Sequence, residues 1–214
     1  MRHDGIRPKT WPHAARRALM ALTLCGATVS SARAVDHPDL FRLASPDFPD
    51  NGTLAARNAG TGTSPRGPWA CGGEDMSPAL AWTHAPAGTK SFAIVMDDPD
   101  AASGRGGAHW IIYDIPANRS SLPRGAANRD GSFVAGSPGR GKAYSGPCAE
   151  PGAKAHHFLF MVYALDIAPG VLAPGLNRGD FARAIEGHNL AEASLVARYQ
   201  RAADGRALSK PRWR

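Results

Sequence analysis

From about residue 80 onward, dense apolar runs alternate with clusters of proline and glycine. Lys90–Asp97 (KSFAIVMD) is continuously apolar and β-branched, and is closed by acids and Pro99. His109–Pro116 (HWIIYDIP) ends on its own proline, and His156–Asp166 (HHFLFMVYALD) is the longest run. Short runs rich in Val, Ile and aromatic residues, bounded by turn formers, predict strands. No helical pattern separates the first two, so an antiparallel hairpin is expected and not a βαβ unit. Residues 35–80 read as loops around short strands, the first at Leu40–Ser45 (LFRLAS). Residues 117–155 are poor in hydrophobic residues, and so long a segment without periodicity points to function or disorder. In Gly179–Arg201 the period changes. Phe181, Ile185, Leu190, Leu195 and Tyr199 recur at roughly helical spacing, which predicts two short helices split by Gly187, with Asp180 as N-cap. The sum is a mostly β domain closed by short C-terminal helices.

Composition modifies this picture at the N-terminus. Residues 1–34 run from a basic region (Arg2, Arg7, Lys9, Arg16, Arg17) through a short apolar stretch to Ala32-Arg33-Ala34. That order predicts a secretory signal peptide cleaved after Ala34, leaving residues 35–214 as one domain in the periplasm or outside the cell. The apolar stretch is too short for a good membrane span, so the mature chain is expected to carry no integral membrane segment. Leu24 ahead of Cys25 argues against a lipoprotein cysteine. The leader holds six Lys/Arg against one Asp and so accounts for +5 of the net +7. The remaining 19 basic and 17 acidic residues nearly balance, and no nucleic-acid partner is expected. With Cys25 removed, Cys71 (WACGGED) and Cys148 (SGPCAEPG) form an even pair in an oxidising compartment, and a disulfide between them is expected. Two separate buried thiols are the alternative.

The chemistry-bearing residues gather around MDDPDAASGRGGAHW, Met96–Trp110. If the first two runs form a hairpin, Asp98 and His109 face each other across its loop. If the third run is antiparallel to the first, His156 and His157 begin at the same end. Asp98, Asp100, His109, His156 and His157 then share one rim, with His156 and His157 on opposite faces. Imidazoles beside carboxylates can bind metal, exchange protons or offer N–H donors to an anion, while glycine-rich loops admit a phosphate. The alternative is structural: histidines satisfied by backbone, and acids that form turns. Other matches fail on their own terms. GSPGRGKA (Gly136–Ala143) has Ala143 where a phosphate loop needs Ser or Thr, and Gly146-Pro147 follow where its helix should run. No G-x-S-x-G, His-x-x-x-His or C-x-x-C occurs, so neither a serine elbow, a metal site nor a cofactor is expected.

Taken in order, CGGEDMSPALAW, KSFAIVMDDPDA, AHWIIYDIPA, LPRG, YSGPCAEPGAKAHHFLFMVYALD and IEGHNLAEASLVARYQR resemble the phosphatidylethanolamine-binding protein family. The closer match is its bacterial Raf-kinase-inhibitor-like branch, over roughly residues 40–201. The resemblance implies a central antiparallel β-sheet, a second smaller sheet and terminal helices. It also implies an anion-accepting pocket that in relatives takes phosphate, acetate or a phospholipid headgroup. By position it assigns Asp98, Asp100, His109 and His156 to that pocket, with Pro147 at its edge. Three positions depart from the family pattern. Ala102 replaces a proline, which implies a looser loop before His109. His157 replaces an arginine, which puts an ion pair behind the pocket in question. Phe158 replaces a tyrosine. The function expected is a non-catalytic, exported binding protein for a small anionic ligand or headgroup. One alternative is an inhibitor or interaction module docking a protein through the same rim, marked by an aromatic patch at Trp69 and Trp110. A further one is an enzyme using Asp98 and His109 as acid and base.

Overall fold

The computed structural model describes residues 40–64, 67–128, 134–135 and 144–209; the leader, Cys25 and the 136–143 glycine-rich stretch lie outside them. In chain order the strands are β1 (Arg42–Ala44), β2 (Gly52–Thr53), β3 (Leu80–Thr83), β4 (Ser91–Asp98), β5 (Gly107–Pro116), β6 (Ser121–Leu122), β7 (Val134–Ala135), β8 (His156–Leu165) and β9 (Asn189–Tyr199). Two α-helices, α1 (Ala101–Gly104) and α2 (Arg178–Ala184), interrupt them. A six-stranded sheet has the order β2-β9-β8-β4-β5-β7, and a three-stranded sheet the order β1-β3-β6. The small sheet is antiparallel. The large one is antiparallel except where β2 runs parallel to β9. The mostly β architecture with a second, smaller sheet is therefore present, and the central sheet is mixed at one edge.

The three dense apolar runs are its three adjacent central strands, with β4 between β5 and β8. β4 is apolar without alternation because both its faces are covered. Phe92, Ile94 and Met96 enter one core with Trp82, Trp110 and Phe160, on the side that also takes up Leu43, Leu80 and Leu122 of the small sheet. Ala93 and Val95 enter the other with Tyr113, Tyr163 and Phe181. Phe181 fixes α2 to that second face. It is fully buried, stacks on Tyr113 at 5.8 Å and meets Tyr163 edge-on at 5.7 Å, a burial worth about 2–3 kcal/mol.

The C-terminal segment corrects the expectation of two helices. Residues 178–184 are helical, but Asn177 is the N-cap, its side chain accepting from the backbone N–H groups of Gly179 and Asp180. Gly187, at φ +78°, ends the turn, and the second half is β9, paired with β8 from His156↔Tyr199 to Leu165↔Asn189. Leu195, Ala197 and Tyr199 are buried at period two. Ala191, Glu192 and Ala193, earlier in the strand, are good helix formers, but ten cross-strand pairs override that local preference.

Two loops cross at very close range beside the sheet. A Cβ on Gly146 would lie 2.2 Å from the Asn58 carbonyl oxygen, and one on Gly73 the same distance from that of Ala59. Only glycine permits the approach. The buried Asp75 carboxylate ties it together, accepting from the Thr61 N–H and hydroxyl and from the Gly146 N–H. The Cys71–Cys148 disulfide joins the same two loops. Spanning 77 positions, it removes about 4 kcal/mol of chain entropy from the unfolded state. Cys71→Ser is expected to lower the melting temperature by about 10 °C, read by calorimetry; an unchanged midpoint would contradict this role.

Candidate functional site

The acids of the DDPD turn divide their work by strand parity. Asp97 faces the second core and accepts from Arg178 Nε at 2.8 Å, holding α2 to the strand end. Asp98 lies on the opposite face, with Met96 and Ile94, and is 4% exposed. Asp100, past Pro99, turns outward. β8 supplies a matching pair. His156 shares the face of Phe158 and Phe160, and its Nδ1–H donates to Asp98 Oδ2 at 2.8 Å. His157 points the other way, and both its backbone N–H and its Nδ1 reach Asp100 Oδ2 at 2.8 Å. Consecutive histidines thus meet alternate aspartates on two faces of one sheet.

His109 has the wrong parity for this rim, and a bulge corrects it. Met96 pairs with Trp110 but Asp97 pairs with Ala108, so His109 is an extra residue in β5. A bulge of this kind redirects a side chain. Here it brings His109 onto the face of Trp110, Asp98 and His156. Ser145 fixes it there at two points: the Ser145 N–H donates to the His109 carbonyl at 2.8 Å, and His109 Nδ1–H donates to the Ser145 carbonyl at 2.6 Å. A carbonyl can only accept, so Nδ1 carries the proton. His109 Nε2 then lies 3.9 Å from Asp98 Oδ2. Phe158 packs against both imidazoles, edge-on to His109 at 5.3 Å and stacked with His156 at 6.5 Å. The Phe158 ring is an apolar wall shared by the two histidines.

These groups line a cavity of about 130 Å³ with Ser64, Trp69, Cys148, Ala149, Glu150 and Ala153. A drug-sized ligand site holds several hundred Å³; this one suits a single small group. Of the five residues assigned to the pocket from sequence, Asp98, His109 and His156 line it. Asp100 and Pro147 do not: Asp100 holds His157 outside, and the buried Pro147 accepts from the Gly60 N–H. Ser64, Ala149, Glu150 and Ala153 were not anticipated, since nothing in two irregular loops signals which residues turn inward. Trp110 lies fully in the core and Trp69 forms part of the cavity wall, so the two do not make an exposed aromatic patch.

The departures from the family pattern acquire physical content. Ala102 has φ +50°, whereas proline is locked near −65°. The loop is a single helical turn closed by the Gly106 N–H on the Ala101 carbonyl. At the second departing position, His157 pairs with Asp100.

A profile of the phosphatidylethanolamine-binding proteins matches residues 44–200. The chain belongs to the phosphatidylethanolamine-binding protein family. Among its relatives, the UPF0098 protein of Aquifex aeolicus is 36% identical over 140 residues, covering 62% of this chain and 79% of that protein. LppC of Mycobacterium tuberculosis (strain H37Rv), named as a candidate lipoprotein, is 31% identical over 173 residues, covering 81% of this chain and 79% of LppC. The crystal structure of Escherichia coli YbcL, described as a member of the mammalian family, superimposes with a TM-score of 0.66 at 30% identity, covering 75% of this chain and 98% of YbcL.

Partial burial raises the Asp100 carboxyl, but the hydrogen bonds from the His157 backbone and ring outweigh it, and the net displacement is downward from the usual aspartate value. A carboxylate lowered on folding stabilises the protein above its unfolded pKa of about 4, and loses that contribution as pH falls through the lower folded value. Asp100→Asn should therefore melt below the native protein at neutral pH, with the two curves converging below about pH 4. A difference that stays constant down to pH 2 would contradict the assignment.

Proposed function

We propose that this chain is an exported, non-catalytic binding protein whose His109–His156 pocket accepts a small anionic group, either free phosphate or the phosphate of a phospholipid headgroup. The observation that carries the reading is the placement of two imidazoles in one small cavity, each with its Nδ1 proton already committed: His109 to the Ser145 carbonyl, His156 to Asp98. In that tautomer a neutral ring presents Nε2 as an acceptor, which repels an anion. A second proton turns Nε2 into a charged donor, the strongest kind of partner for a phosphate oxygen. Affinity for an anion then rises as pH falls.

Export is supported by the basic-apolar-small order of residues 1–34, the Cys71–Cys148 disulfide and the likeness to LppC. No helix among the described residues is long and apolar enough to cross a membrane. Acid–base catalysis by Asp98 and His109 is disfavoured by geometry: the two are 3.9 Å apart, and Asp98 is held by His156 and by the Asp100 N–H. The interaction-module reading finds no support in an aromatic patch, because Trp110 is fully enclosed.

Inorganic phosphate, followed by NMR at His109 and His156, is expected to bind about tenfold more tightly at pH 6 than at pH 8. Sulfate, whose charge is constant over that range, separates the titration of the histidines from that of phosphate. Glycerophosphoethanolamine distinguishes a headgroup from the free ion. Saturating phosphate that moves neither histidine at any pH would overturn the reading.

A further inference from the structure

An anion entering this cavity meets two carboxylates, Asp98 and Glu150, and no lysine or arginine among the described lining residues. The nearest wall has a cation behind it. Arg201, two residues beyond β9, is only 7% exposed, an unusual place for a guanidinium without an acidic partner. Among the described residues it forms no ion pair. Its hydrogen bonds go to carbonyls: Nε donates to Gly205 at 2.7 Å, and Nη1 to Ala149 at 3.4 Å. Ala149 lines the cavity. The Arg201 carbonyl in turn accepts from the Gly152 N–H, so the pocket loop 149–153 is attached to this residue at two points. The enclosure is tight, since a Cβ on Gly205 would come within 2.9 Å of the guanidinium.

We infer that Arg201 is a fixed positive charge of the anion pocket, a positioning residue that acts through the Ala149 carbonyl wall. The inference rests on the reading of the pocket as an anion site and names where its permanent charge resides. Strand register supports it. Tyr199 is the cross-strand partner of His156 and shares its face, and Arg201 lies two residues further along the same side. Its charge already acts on the buried Tyr199 hydroxyl, which burial raises and Arg201 partly brings back. A buried charge works in a poorly screened medium and favours any anion placed near it. It also opposes a second proton on His109 and His156. Among the described residues, the titratable groups around those rings include Asp98 and Glu150 in the lining, the Asp100–His157 pair beside β8, Tyr199 from β9 and Tyr144 beside Trp110.

The test compares Arg201→Gln and Arg201→Lys in the full chain. Ligand-free NMR titration of the histidines comes first, then phosphate binding at a pH where both rings are protonated. Arg201→Gln keeps a donor and loses the charge; both histidine pKa values should rise by about half a unit to one unit, and phosphate should bind about tenfold more weakly. Arg201→Lys keeps the charge and should leave the histidine values within a few tenths and the affinity within about twofold of the native protein. A purely structural role predicts the reverse, with both variants losing affinity alike and neither moving the histidines; that result overturns the inference. Should Arg201→Gln fail to fold, Arg201→Lys decides alone: a folded Lys variant with native-like binding supports the charge, and one that has lost phosphate overturns it. If the native protein binds no phosphate, the anion reading falls separately, and the ligand-free titration still decides whether Arg201 acts on the two rings.

Discussion

One extra residue in β5 sets the geometry of the site. Without the bulge at His109, alternation would send that side chain to the face of Ile111 and Tyr113, into the core covered by α2. With it, His109 joins Asp98 and His156 across three adjacent strands, and the Ser145 backbone holds the ring from the far side. The bulge is itself dependent on the loop that follows Tyr144, because Ser145 pairs with both the carbonyl and the ring of His109. That loop in turn is fixed by the close crossing of Gly146 over Asn58–Gly60, by Asp75 and by the disulfide. Ligand-free preorganisation of this kind lowers the entropy lost on binding.

Three duties for three neighbouring acids explain why the DDPD turn looks catalytic without needing to be. Asp97 anchors a helix through Arg178, Asp98 orients His156, and Asp100 holds His157. A carboxylate behind an imidazole fixes the tautomer and aims the opposite nitrogen. The arrangement spends its negative charge on positioning, and no lysine or arginine is among the described lining residues. On the proposed anion reading, protonation of the histidines and the guanidinium of Arg201 behind Ala149 supply the positive charge.

Much of this is legible in the amino-acid sequence. Continuous apolar runs at Lys90–Asp97, His109–Pro116 and His156–Asp166 mark buried central strands, and their ends place Asp98, His109 and His156 on one rim. Parity correctly separated His156 from His157. What escaped was tertiary in origin. β9 reads as helix because Leu190, Leu195 and Tyr199 stand at roughly helical spacing among Ala and Glu, and the ten strand pairs with β8 that decide otherwise are tertiary. The bulge at His109 leaves no local signature, since its cause is pairing with Ser145, 36 residues away. The inward turn of Ser64, Ala149, Glu150 and Ala153 depends on how two glycine-rich loops cross. The burial of Arg201 beside a pocket is not written in its sequence neighbours.

The central claim is that two protonated imidazoles on one face receive a single anion. A crystal structure of the protein grown with phosphate at pH 6 tests it most directly. The account predicts one phosphate in the cavity, with oxygen atoms about 2.7–3.0 Å from the Nε2 atoms of both His109 and His156. A phosphate bound elsewhere, or one in contact with neither Nε2, would contradict it.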